Sequence, residues 1–208
     1  MALPQQFDFV YLASASPRRA QLLDQLGVRH RPLLPGANEN PESWEEARSG
    51  ELPQAYVQRV ALRKLQAARQ RLGRSRLPPA PILVADTTVA LGRRMLGKPE
   101  SPEHAREMLR ALSGRTHRVL TAVVVGGAQP PHHLAVSVSK VRFAELSDAT
   151  IDRYVASGEP RGKAGAYAAQ GRIAAWIDHL EGSYSGVVGL PLRETAQLLA
   201  RARVRLEL

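Results

Sequence analysis

Three large apolar residues in a row, Ile82-Leu83-Val84, lead through Ala85 to Asp86, Thr87 and Thr88. A continuous run of this kind marks a fully buried strand, so the rest of the chain has to enclose it. Asp86 stands where that strand should emerge. In α/β folds an acid at the end of a buried strand is a common site position. An Asx-type cap on the following turn would explain the same residue, and the run alone leaves both readings open.

A second apolar run, Phe9 to Leu12, reads as a short buried strand, and Leu22, Leu23 and Leu26 read as one face of a helix. Small residues join them, Ala13-Ser14-Ala15-Ser16-Pro17. Ser16 before Pro17 signals a helix start, because serine can cap orphan N–H groups and proline at the first helical position gives up no hydrogen bond. Such a corner aims backbone N–H groups and the positive end of the helix dipole at open space, which makes an anion site. Arg18 and Arg19 fall in the first turn, where cations oppose the dipole, so another purpose is expected for them. A bound polyphosphate would supply one, since guanidinium forks match phosphate oxygens. An ordinary strand–turn–helix corner with solvated arginines fits the spacing as well.

Elsewhere the pattern is of strands and helices in turn. Val28 to Leu34 alternates as a strand that Pro35-Gly36 ends. The polar, acidic stretch 37–52 reads as a mobile loop containing Glu39 and Trp44, the tryptophan as a plug at the core edge. Apolar positions at Ala55, Val57, Val60, Ala61, Leu65 and Ala68 predict an amphipathic helix from Pro53 to Leu72. Val89 to Leu96 should fold back as a hairpin around Gly92, after which Gly97-Lys98-Pro99 holds a lysine in a rigid corner. Ser101-Pro102-Glu103 opens a helix with Ala105, Met108, Leu109 and Leu112 as its buried stripe.

His117–Val125 and Leu134–Phe143 read as an antiparallel pair with one face solvated, which leaves His132 and His133 in the connecting loop. A capped helix spans Ser147 to Ala156. The glycine-rich segment Gly158 to Gly171 would let backbone approach a ligand closely. A plain flexible loop is the alternative, against which the interspersed Lys163, Tyr167 and Gln170 speak. Ile173 to Leu180 reads as a strand, Gly182 to Gly189 as a small-residue loop, and Pro191 to Ala200 as a helix with Leu192, Ala196 and Leu199 inward. The succession predicts a mixed α/β fold, in one domain over residues 1–208, or one core with two lobes.

The formal charge of +10 invites a nucleic-acid reading. It is set aside because the arginines are scattered over helical positions and no basic run is interleaved with aromatics. A chain so rich in arginine keeps lysine at only Lys64, Lys98, Lys140 and Lys163. A compact ammonium on a flexible stem is the reason to keep one; Lys140, on an alternating strand, reads as surface. With no cysteine, disulfides and thiolate chemistry are excluded. The N-terminal MALPQQFDF is not read as a signal peptide, and no apolar run reaches bilayer length. A cytoplasmic location is the default expectation, with neither nucleic acid nor membrane as partner.

Five blocks, SASPRRAQLL, ADTTVA, LGKPESPEHAREMLRALSGRTHRVLTAV, YVASGEPRGKAGAYAAQG and GSYSGVVGLPL, resemble in order the signature blocks of the Maf family of nucleotide pyrophosphatases. The resemblance runs from Tyr11 to about Leu199. It implies the fold of inosine-triphosphate pyrophosphatases: a mixed central sheet with flanking helices and two lobes around a cleft. It also implies a dimer and a divalent metal, Mg²⁺ or Mn²⁺, serving the hydrolysis of nucleoside triphosphates to monophosphate and pyrophosphate.

On that resemblance the catalytic acid falls on Asp86, the loop acid on Glu39, and the two lysines on Lys64 and Lys98. Asp86 and Glu39 become the metal ligands, and Ser14 and Arg18 the phosphate binders. Lys163 joins the substrate-binding set. Arg19, Thr87 and Gln170 match the branch acting on dTTP and UTP, whereas the branch acting on 7-methyl-GTP reads SPWR, SDQ and SEG. Two positions depart from the pattern: Ala37-Asn38-Glu39 stands for Val-Asp-Glu, and Leu65 follows Lys64 in place of alanine. A pyrophosphatase for other or modified nucleotides, and a non-enzymatic basic binding protein, are the competing expectations.

Overall fold

The computed structural model describes residues 6–36 and 39–207, so Ala37 and Asn38 of the departing loop lie outside the described residues. Seven strands form a mixed sheet in the order β2-β1-β3-β5-β6-β7, with β4 on β3. They are β1 (Val10–Leu12), β2 (His30–Pro32), β3 (Ile82–Leu91), β4 (Arg94–Leu96), β5 (Thr116–Gly126), β6 (His132–Phe143) and β7 (Ile177–Glu181). The helices are α1 (Pro17–Gln25), α2 (Pro53–Gly73), α3 (Pro102–Leu112), α4 (Asp148–Ala156), α5 (Tyr184–Val188) and α6 (Leu192–Arg201). The chain divides into two compact units, one made of residues 1–86, 122–136 and 189–208, the other of residues 87–121 and 137–188.

In the first unit β1 pairs in parallel with β2, Val10 opposite His30, and with β3, Tyr11 opposite Ile82. Parallel neighbours need a crossover, which α1 and α2 supply. Pro17 and Pro53 each stand in the first turn of their helix, where the missing N–H costs nothing. The stripe read from the sequence of α2 is buried, with Val57, Val60, Ala61 and Ala68 at 0% exposure. β2 is shorter than the alternation predicts. On α6 the inward residues are Thr195, Leu198 and Leu199. Leu192 and Ala196 sit on its flanks, a rotation that periodicity alone does not fix.

The second unit packs Leu109 and Leu112 of α3, Phe143, Ile151 of α4, Tyr167 and Ile173 into one core. Ser101 caps α3 by accepting from the His104 N–H, and Ser147 caps α4 by accepting from that of Thr150. The expected hairpin around Gly92 is the antiparallel β3–β4 pair.

Three local readings are corrected. His132 and His133 open β6 rather than lying in the loop; the ladder starts directly after Pro131, which has no N–H to contribute. Of the strand expected at 173–180 only 177–180 is extended, within β7, because residues 172–176 form a 3₁₀ turn that buries Ile173. The small-residue loop 182–189 contains the short helix α5. Among the described residues no helix is long and apolar enough to cross a membrane.

Candidate active site

The corner after β1 is built as the sequence suggests, with one exchange of roles. Ser16 precedes α1 without a side-chain cap. Ser14 does the local work instead, its hydroxyl oxygen accepting from the Ser16 N–H at 3.2 Å and from Arg19 Nη1 at 3.0 Å. Arg19 Nε donates to the Gly189 carbonyl at 2.9 Å. The guanidinium is therefore pinned from two sides. Burial pulls its proton affinity down, while the charge of Asp86 opposes that and the neighbouring Arg18 adds to it.

Asp86, 5% exposed, meets α2 at Lys64, whose Nζ donates to Asp86 Oδ1 at 2.7 Å and to Glu45 Oε1 at 2.8 Å. Burial raises the pKa of Asp86; the Lys64 and Arg19 charges lower it, and Glu45 raises it further. Ser14, Arg19, Lys64 and Asp86, four residues from three separate segments, thus share one electrostatic neighbourhood with Glu45. Sequence reasoning missed Glu45. It stands in an acidic run, and nothing in its spacing separates it from Glu42 or Glu46.

The stretch read as a mobile loop carries a 3₁₀ turn, Pro41–Glu45, and α2 stitches it down. Tyr56 Oη donates to the Glu45 carbonyl at 2.7 Å, and Arg59 donates to the carbonyls of Trp44 and Glu46. Arg59 also grips Glu51 through two bonds of 2.6 and 2.7 Å, which take the Glu51 carboxyl down to about 2. Glu39 goes elsewhere. Arg71, two helical turns beyond Lys64, binds it through bonds of 2.9 and 2.6 Å and lowers its pKa. A cavity of about 270 Å³ opens beside that pair, lined by Trp44, Gln70, Arg71 and Arg74.

The remaining predicted residues belong to the second unit. Thr87 Oγ1 lies 2.9 Å from Thr121 Oγ1. Lys98 is exposed in its Gly-Lys-Pro corner, and Lys163 Nζ donates to the Arg161 carbonyl. The two lysine loops are tied together, since the Gly165 N–H donates to the Gly97 carbonyl at 3.0 Å. Gly165 has φ +68°, and a Cβ there would come within 3.0 Å of the Val89 side chain, so glycine is required twice over.

Gln170 is exposed at the tip of a turn closed by the Gly171 N–H donating to the Ala168 carbonyl. Glu159 clamps that turn: it accepts from Tyr154 Oη and from the Arg172 N–H, and Tyr154 Oη accepts from the Ala168 N–H. The glycine-rich segment is therefore a set of braced turns.

An α/β protein with a buried acid among arginine and lysine side chains is equipped for an anionic substrate such as a phosphate ester or anhydride. The chain belongs to the Maf-like protein family, whose pattern matches residues 9–202. It is 58% identical over 199 residues to a dTTP/UTP pyrophosphatase of Polaromonas sp., covering 96% of this chain and 98% of that one. It is 57% identical over 192 residues to a dTTP/UTP pyrophosphatase of Albidiferax ferrireducens, covering 92% and 96% respectively. To one of Cupriavidus pinatubonensis it is 56% identical over 198 residues, covering 95% and 98%. A solved HAM1 protein from Coxiella burnetii aligns over 92% of this chain and 98% of its own at 15% identity, with a TM-score of 0.49.

Proposed function

We propose that this chain is a nucleoside triphosphate pyrophosphatase acting on dTTP and UTP, releasing the nucleoside monophosphate and pyrophosphate. The observation that carries it is Asp86, buried and held by Lys64 with Arg19 nearby, in a chain more than half identical to relatives of that name. Water attacks the α-phosphorus, the bond to the bridging oxygen of the β-phosphate breaks, and the leaving group is a multiply charged pyrophosphate. Catalysis is therefore mainly positioning and charge neutralisation.

Ser14, Arg18 and Arg19 hold phosphate oxygens, and Lys64, Lys98 and Lys163 add positive charge. Asp86 takes the proton of the attacking water; burial, by raising its proton affinity, suits it to that task. The family resemblance assigns Thr87 and Gln170 to the base, whose polar edge would leave buried groups unpaired if the wrong ring entered.

A hard divalent cation, Mg²⁺ or Mn²⁺, would be held by the carboxylates of Asp86 and Glu45, which now share Lys64 Nζ, together with phosphate oxygens of the substrate, since no group of three or more such ligands stands together among the described residues. When bound there, such an ion would neutralise phosphate charge and lower the proton affinity of water. Glu39 joins these ligands only by exchanging Arg71 for the ion. We also assign the protein to the cytoplasm as a homodimer, on the family resemblance.

Initial rates over a panel of nucleoside triphosphates with Mg²⁺, read as pyrophosphate released, test the assignment. dTTP and UTP are expected at the top. Their appearance at the bottom, or salt-sensitive DNA binding with no pyrophosphate released, overturns it.

A further inference from the structure

Thr121 on β5 is polar and only 1% exposed, so it meets no ligand directly. Its hydroxyl oxygen lies 2.7 Å from the carbonyl oxygen of Gly186 and 2.9 Å from the hydroxyl of Thr87. Gly186 belongs to α5, which is five residues long, so its carbonyl has no N–H four residues on within that helix. A carbonyl can only accept, and a threonine hydroxyl has one proton. The Thr121 proton is thus spent on Gly186, and the contact with Thr87 has to use the proton of Thr87.

A direction follows for the whole relay: Thr87 donates to Thr121, and Thr121 donates to Gly186. Thr87, unlike Thr121, is partly exposed. With its proton turned inward, its oxygen meets everything else through lone pairs. A threonine hydroxyl normally adapts to donor or acceptor by rotation. Here that freedom is removed by a residue one step further from the surface.

We infer that Thr121 is a specificity-determining residue acting through Thr87: it fixes the Thr87 oxygen as an acceptor, selecting a pyrimidine with an N–H at ring position 3, as in uracil and thymine, over cytosine, whose N3 is a bare acceptor. This rests on the assignment of Thr87 to the base. Cytosine would set two lone pairs against each other at that point. Its 4-amino group could reach the same acceptor only by moving the ring one position over.

The test is the ratio of kcat/KM for UTP to that for CTP in the native protein and in Thr121→Val, Thr121→Ser and Thr87→Val. Valine at 121 keeps the volume but takes the acceptor away, so Thr87 regains a rotating hydroxyl. The ratio is expected to fall about tenfold or more, with CTP gaining, since a polar mismatch in a buried contact is worth that much or greater. Thr121→Ser keeps the relay and should hold the ratio within about threefold of native.

A packing defect would lower both substrates together and leave the ratio in place. If Thr87→Val collapses the ratio and Thr121→Val does not, the relay is wrong while the base assignment stands. If neither changes it, Thr87 does not face the base and the inference falls with that assignment. Should Thr121→Val fail to fold, Thr121→Cys, close in size and a weak hydrogen-bonding group, takes its place with the same two outcomes.

Discussion

Glu51 and Asp86 both meet a cation on α2, and the two pairs are built to opposite ends. Glu51 receives both bonds of a planar guanidinium, plus the Arg48 N–H at 3.2 Å, and its pKa drops to about 2. Arg59 is further fixed by two loop carbonyls. Asp86 shares a single ammonium with a second acid, Glu45, and burial leaves its pKa raised. The first pair fastens the loop to the helix. The second holds a carboxylate at a depth where burial disfavours its charge, as suits a group that awaits a charged substrate. An ion pair in this chain is thus read by its partner's geometry and its burial, not by how short it is.

Asp86→Asn strikes at that contrast most directly. Turnover is expected to fall about a thousandfold or more, while thermal unfolding stays within a few degrees of native, because asparagine removes a carboxylate whose ionisation is costly in that place. Retained turnover would make Asp86 structural, and a large fall in Tm would make it a second Glu51. Lys98→Ala should raise KM and slow turnover about tenfold. Steady-state kinetics showing an unchanged kcat/KM would remove Lys98 from the site.

Glu51→Gln is the inverse experiment. It should cost on the order of 2 kcal/mol, or about 4–8 °C in Tm, with kcat/KM within about threefold of native. The acid limb of stability carries the same signature. Glu51 ionises more readily folded than unfolded, so its contribution is complete above its ordinary value of 4.5 and is lost as pH falls toward about 2. Urea denaturation should show native and Glu51→Gln diverging as pH rises through that window. Parallel curves would mean that the pair is solvated and worth little.

Glu39→Gln is expected to have the smallest effect, a few-fold in rate, since Arg71 already occupies its carboxylate. A loss matching that of Asp86→Asn would show that Glu39 leaves Arg71 during turnover.

Much of the candidate site could be proposed along the chain because its parts lie in short local signals. Ile82-Leu83-Val84 announced the buried strand, although β3 runs on to Leu91 and Asp86 lies buried within it rather than where it emerges; Ser16-Pro17 started α1, and the scarcity of lysine drew attention to Lys64, Lys98 and Lys163. Glu45 and Thr121 escaped for the same physical reason. Each acts through a partner distant in sequence, Lys64 for one and Thr87 with Gly186 for the other. Glu39 shows the converse, since a signal shared with the family placed it at the metal, and the fold gives its carboxylate to Arg71.

Hydrophobic period and helix-start signals are properties of neighbouring residues, and so the sequence by itself determined the long helices, the place of the corner after β1 and most of the strands, though not the ends of β2, β6 and β7. Which acid shares a cation, which proton a hydroxyl gives away and how far a carboxyl's affinity moves are properties of groups brought together from different segments. Burial and distance set them, and both exist only once the chain has folded.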